Sequence, residues 1–277
     1  MNGPAMTSET ASSGRWRDLG VRGLSAAVLI PVVLVDVWLG EWWFVAFVAV
    51  LMVLCAREYV RMAAVGDRLQ LSLHAAGAIA GAVLPVAAGV AVALAVIASL
   101  WVCSVIAYLL QRRRHDLFAL LGLGYVSIPA LSLVVLRADP QAGLVSIYWL
   151  FCVIWMADTM AYFAGRLIGG PKLWPAISPK KTWAGLFGAM AGAVMASVAV
   201  ILAAGLSFSF SLIVMAAVLA VVEQGGDLYE SALKRQAGVK DSGTLIPGHG
   251  GALDRVDGLL AAATAAWALN LMGLLNW

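Results

Sequence analysis

Residues 223–258 read EQGGDLYESALKRQAGVKDSGTLIPGHGGALDRVDG and hold six of the chain's 15 acids and four of its 18 bases, although the chain is only 12% charged and 62% hydrophobic. Asp227, Glu230, Ser231 and Lys234 are spaced i, i+3, i+4 and i+7, so a helix places them on one face. Gly238 is expected to end that helix. The loop Lys240-Asp241-Ser242-Gly243 follows, and then Ile246-Pro247-Gly248-His249-Gly250-Gly251. Glycines around one histidine let the backbone come close to a ligand, and their N–H groups can cradle phosphate oxygens. Asp254 and Asp257, at i and i+3, share a face where the last apolar run begins. Three aspartates on two helix ends, beside lysines and arginines, suit magnesium held together with a substrate's phosphates. A solvated charged loop is the plain alternative. Charges beside lipid are costly and are mostly kept for function, which weighs against it.

A second polar segment spans 157–185. Pro171, Pro175 and Pro179 exclude a long helix there. Its tail, Ser178-Pro179-Lys180-Lys181-Thr182, puts two ammonium groups between two hydroxyls, a donor set suited to a phosphate ester. The same lysines also fit a simple basic loop flanking a span. Asp158 lies inside an apolar run, so it must face protein, water or a metal. A hydrogen bond to a neighbouring helix would equally account for it.

The elements that must hold these groups are membrane helices. Mean hydropathy is +0.93, and apolar runs recur at the length a helix needs to cross a bilayer, roughly 17 to 25 residues. We read nine spans, at 24–39, 42–56, 71–88, 90–110, 117–136, 144–165, 183–204, 207–223 and 257–276. The apolar stretch from Leu71 to Leu110 must fold back once, near Pro85–Gly89. Continuous Ala- and Leu-rich runs argue against barrel strands. The fold class expected is therefore all-α, a polytopic helical membrane protein with its polar site facing the cytoplasm.

With a cytoplasmic N-terminus, 17 of the 18 bases fall on the cytoplasmic side and only Arg137 falls outside. Arg112–Arg114 read as topogenic charges beside anionic headgroups. The first span has no small-residue cleavage site after it and reads as a retained helix. Residues 1–22 are expected to be a cytoplasmic, disordered tail, and 23–277 a single transmembrane catalytic domain. Cys55, Cys103 and Cys152 sit inside apolar runs with no disulfide or zinc spacing. No P-loop and no dinucleotide-binding glycine pattern is present.

The two polar segments together resemble the phosphatidate cytidylyltransferase family, also called CDP-diacylglycerol synthase. The family's signature is met by Ser231, Leu233, Lys234, Arg235, Lys240, Asp241, Gly243, Pro247, His249, Gly250, Gly251, Asp254, Arg255 and Asp257 in register. Its upstream G-D-x-x-E-S is met by Gly226, Asp227, Glu230 and Ser231. Its S-P-K-K-T-W-E-G stretch is met by Ser178 through Trp183 and Gly185, with Ala184 in place of the usual glutamate. These motifs lie within 155–260; the N-terminal half is similar only in hydropathy.

The resemblance implies transfer of the cytidylyl group of CTP to phosphatidic acid, giving CDP-diacylglycerol and pyrophosphate. It implies Mg2+, with room for a second cation, held by Asp227 and Asp254 with Asp257 and Asp241 as further candidates. Lys180, Lys181, Lys234, Arg235, Lys240 and Arg255 would clamp phosphates. Ser178, Thr182 and Ser231 would donate hydrogen bonds, and Gly250 and Gly251 would lie against the substrate. His249 would touch phosphate or orient a carboxylate, and Asp158 would order a lysine or a second cation. Expected partners are CTP, phosphatidic acid, the bilayer and a second copy in a homodimer, with no nucleic acid. The expected location is the inner or plasma membrane. A cytidylyltransferase for another lipid phosphate would carry the same motifs. A CDP-alcohol phosphotransferase lacks support, because no arginine and no later aspartates follow Asp257-Gly258. A cation-coupled transporter would place its site mid-membrane between repeats, and no repeat is present.

Overall fold

The structure, a computed structural model, describes residues 27–63, 68–111, 116–245 and 250–275. Nine helices run through these residues: α1 (Ala27–Leu39), α2 (Glu41–Met62), α3 (Arg68–Ala87), α4 (Val90–Leu110), α5 (Leu117–Arg137), α6 (Gly143–Leu167), α7 (Trp183–Ala203), α8 (Phe210–Gln236) and α9 (Leu253–Leu271). Each expected span therefore has its helix. Helices α2 to α8 are long and apolar enough to cross a membrane. The described part of α1 is shorter, and α9 opens with Asp254, Arg255 and Asp257 before its apolar stretch. The chain is a helical membrane protein.

Boundaries moved where polar residues continue a helix. The span expected at 42–56 extends to Met62, so α2 carries Arg57, Glu58 and Arg61 within its helix. Helix α8 runs unbroken from the membrane through the polar window to Gln236. It ends as expected at Gly238 (φ 69°), where the N–H groups of Gly238 and Val239 reach back to the carbonyls of Arg235 and Lys234. The apolar hairpin turns at Gly89, between α3 and α4.

One local structure departs from the sequence reading. The proline-rich segment forms a two-stranded antiparallel hairpin, β1 (Lys172–Trp174) and β2 (Ser178–Thr182), pairing Lys172 with Thr182 and Trp174 with Ser178. Proline is tolerated on such an edge, where no ladder N–H is required of it. Thr182 then caps α7, its Oγ1 accepting from the Gly185 N–H at 3.0 Å.

Helix α5 is central, packing against α2, α3, α4, α6 and α9, while α6 pairs with α7 and α8 with α9. Arg137, the single base outside the set expected to be cytoplasmic, has a structural task. Its Nε donates to the Val37 carbonyl at 2.8 Å, binding the end of α5 to the end of α1. Helices α8 and α9 approach closely: a side chain at Gly226 would overlap Ala261 and the Asp257 backbone, and one at Gly258 would overlap Glu223. Small residues let membrane helices meet this way.

Candidate active site

The strand β2 sorts the two lysines. Alternate residues of a strand face opposite sides, so Lys180 is exposed while Lys181 turns toward α8. Lys181 Nζ lies 2.6 Å from Asp227 Oδ2 and donates to Gln224 Oε1 at 2.8 Å. The two polar segments thus meet at Asp227. Its other oxygen, Oδ1, accepts from Ser231 Oγ at 3.2 Å, one turn along α8.

One turn further on, Lys234 pairs with Glu230 and with Asp254 Oδ1, the latter at 2.8 Å, joining α8 to α9. Asp254 Oδ2 accepts from the Ser242 N–H at 2.8 Å, the Ser242 hydroxyl at 3.0 Å and the Gly251 N–H at 2.8 Å. Asp254 lies in the first turn of α9, ahead of the apolar stretch. Burial pushes its carboxyl up, but the hydrogen bonds from Lys234, Gly251 and Ser242 outweigh that and hold it below the usual carboxylate range.

Asp158 of α6 lies beside Glu223 and feels the charges of Asp227, Lys181 and Arg255. Asp257 is in contact with Glu230 and feels Asp227. Asp158, Glu223, Asp227, Glu230, Asp254 and Asp257 therefore share one electrostatic neighbourhood with Lys181, Lys234 and Arg255. Arg235, Lys240, Asp241 and Arg255 are exposed, Ser178 and Gly250 are half-buried, and Gly251 is buried. Asp241 and Ser242 line a 360 Å³ cavity with Arg61, Gln236 and Val239. His249 and Pro247 lie outside the described residues, as do Arg112–Arg114.

The donors suit a hard cation. Carboxylate oxygens outnumber cations here, and magnesium takes oxygen ligands while keeping positions for water and phosphate. Among the described residues no three acidic, histidine or cysteine side chains converge on a single point. Instead one oxygen of Asp227 and one of Asp254 each rests on a lysine ammonium. Those ammonium groups occupy positions a cation would take, so an ion held by both aspartates would have to displace them.

Three contributors escaped the sequence reading: Glu58, Glu223 and Gln224. Glu58 accepts from the Ser242 hydroxyl at 2.8 Å, the Ala252 N–H at 3.0 Å and the Leu253 N–H at 2.8 Å. It is the only acid between Glu41 and Asp67. That isolation was the available signal, masked by Arg57 and Arg61, which make the stretch read as a polar helix end.

A model of the cytidylyltransferase family matches residues 20–272. Curated relatives include a phosphatidate cytidylyltransferase of Brucella abortus biovar 1 (strain 9-941), 51% identical over 142 residues, covering 51% of this chain and 53% of that protein. One from Rickettsia prowazekii (strain Madrid E) is 37% identical over 161 residues, covering 56% and 70%. One from Staphylococcus haemolyticus (strain JCSC1435) is 40% identical over 144 residues, covering 52% and 54%. The match spans about half the length of the first of these relatives. The family model's near-complete coverage, on a helical membrane scaffold whose two polar segments meet at Asp227, shows that the chain belongs to the cytidylyltransferase family.

Proposed function

We propose that the protein transfers the cytidylyl group of CTP to phosphatidic acid, releasing pyrophosphate. The observation that carries this reading is the pair of lysine–aspartate bridges, Lys181–Asp227 and Lys234–Asp254, which gather the hairpin, α8 and α9 around one surplus of carboxylates. A phosphate oxygen of the lipid attacks the α-phosphorus of CTP, and the bond from that phosphorus to the pyrophosphate oxygen breaks. The nucleophile is already ionised at neutral pH, so no strong general base is required. The obstacle is repulsion between two polyanions, which positioned cations relieve.

Lys181 and Lys234 would exchange their aspartate partners for phosphate oxygens. Lys180, Arg235, Lys240 and Arg255, all exposed, would meet the nucleotide from the aqueous side. Magnesium, held by Asp227 and Asp254 with Asp257 in reserve, would supply charge neutralisation when bound. Asp158, against Glu223, would steady Lys181. The base asymmetry supports a cytoplasmic site in the cell membrane, with lipid arriving sideways from the bilayer.

The test is magnesium-dependent pyrophosphate release from labelled CTP by the purified protein in lipid nanodiscs. We expect release only with phosphatidic acid present, and a labelled liponucleotide product. Release with an ether-linked lipid phosphate but not with phosphatidic acid would assign another acceptor. No release with either would reject the reading.

A further inference from the structure

We propose that Glu58, on α2 in the N-terminal half, is a positioning residue that fixes Asp254 from outside the signature segments. The inference rests on the catalytic reading above for Asp254, but the clamp itself stands on geometry.

Helix α9 begins without a cap of its own. Its N-cap residue is Ala252, which offers no side-chain acceptor. The first N–H groups of a helix need acceptors, and a buried end without them is costly. Glu58 supplies them from 194 and 195 residues away: Oε1 takes the Ala252 N–H and Oε2 takes the Leu253 N–H. Each oxygen takes a different donor, so both must be acceptors. A carboxylate meets that demand, and an amide meets only half of it.

The same Oε2 takes the Ser242 hydroxyl, and that hydroxyl also lies 3.0 Å from Asp254 Oδ2. Ser242 has one proton to give, so its hydroxyl is shared between two carboxylates. Its oxygen in turn accepts from the Asp254 N–H at 3.3 Å. With Oδ2 held by Ser242 and Gly251, Asp254 presents Oδ1 toward Lys234. Glu58 therefore sets which oxygen of Asp254 faces the site, one step removed from the reacting groups.

Two glycines of the signature make room for this contact. A side chain at Gly243 or at Gly251 would overlap the Glu58 carboxylate, and at Gly251 the Ser242 hydroxyl as well. Glu58 is 5% exposed, so it does not reach bulk solvent. The next residue repeats the arrangement on α8. Tyr59 Oη donates to the Phe118 carbonyl at 2.8 Å and lies 2.5 Å from Tyr229 Oη, so Tyr229 is the donor to Tyr59. Neighbouring residues of α2 thus hold both α8 and α9.

Hydrogen exchange on the full-length protein, read beside steady-state kinetics, tests this. In Glu58→Gln we expect amides of residues 250–253 to exchange at least tenfold faster, while hairpin residues 172–182 exchange as in wild type. We expect kcat to fall about tenfold or more and the magnesium concentration for half-maximal rate to rise about tenfold, as when an outer partner of a metal ligand is lost. KM for CTP should stay within threefold. If Glu58→Gln does not fold, Ser242→Ala removes only the hydroxyl bridge, and the same pattern at smaller amplitude is expected. Unchanged exchange at 250–253 in the folded variant overturns the clamp. Faster exchange with wild-type kcat and magnesium dependence overturns the positioning role. If the wild-type protein makes no liponucleotide, the catalytic reading fails, while the exchange result still decides the clamp.

Discussion

The hairpin at 172–182 and the connection from α8 to α9 both bring signature residues to one site, but they are held by different means. The hairpin supports itself. Its strands pair across a short turn, and Thr182, the last residue of β2, caps the helix that follows. It reaches the rest of the site through Lys181 alone among its side chains with described partners. Among its described residues the α8–α9 connection forms no strand, only an isolated bridge at Gly250. Ser242, Gly251, Ala252 and Leu253 rest on two carboxylates, Asp254 from the start of α9 and Glu58 from α2. Local hydrogen bonds make one segment a separable unit. A long-range acid, Glu58, makes the other a dependent one.

Four measurements test that contrast. The largest effect is expected from Asp254→Asn, which removes the Lys234 partner and leaves an amide facing N–H donors. Turnover should fall at least 100-fold, about 2.7 kcal/mol or more on the scale where 1.36 kcal/mol is tenfold, with faster exchange at 250–253. Turnover above about a tenth of wild type, less than ~1.4 kcal/mol of lost stabilisation, would remove Asp254 from the site.

Lys181→Met should come next. It takes the hairpin's link to Asp227 away, and turnover should drop roughly 10- to 100-fold, in the range of about 1.4 to 2.7 kcal/mol. Exchange at 250–253 should stay unchanged, because the hairpin does not hold that segment. Faster exchange there would show the two regions to be one unit.

Gly251→Ala should lower thermal stability by about 1–3 kcal/mol, the usual cost of overpacking a filled site, since the new methyl meets Glu58 and Ser242. Gly225→Ala is the matched comparison, because nothing lies near its added methyl. It should melt within roughly 1 kcal/mol of wild type or slightly above, as alanine favours helix over glycine. Equal destabilisation of the two would mean that the Glu58 contact is not close-packed.

The smallest effect is expected from Thr182→Ala, a loss of about 1 kcal/mol from the missing cap, restored by Thr182→Ser. A melting curve measures this loss. A turnover loss exceeding tenfold in the folded variant would instead show that the hydroxyl meets substrate.

The class of the protein and the whereabouts of its polar segments follow from the order of amino acids alone. Hydropathy is a sum over neighbours in the chain, so the nine helices of the described residues were legible, as were a turn within Pro85–Gly89 and the helix end at Gly238. Helix periodicity placed Asp227, Glu230 and Lys234 on one face, because i, i+3 and i+7 positions share a face whatever surrounds them, and it paired Asp254 with Asp257 on the next helix. Partners across the fold were not legible in the same way. That Lys181 rather than Lys180 meets Asp227 depends on the face β2 turns to α8, and the hairpin's pairing was itself unforeseen. That Lys234 bridges Glu230 and Asp254 depends on how α9 lies along α8, where Gly226 and Gly258 permit close approach. Glu58 is the sharpest case. Nothing within its own turn marks it, and its partners stand 184 to 195 residues away. A buried carboxylate declares its role only through the donors aimed at it, and only the tertiary structure brings Ser242, Ala252 and Leu253 to that point.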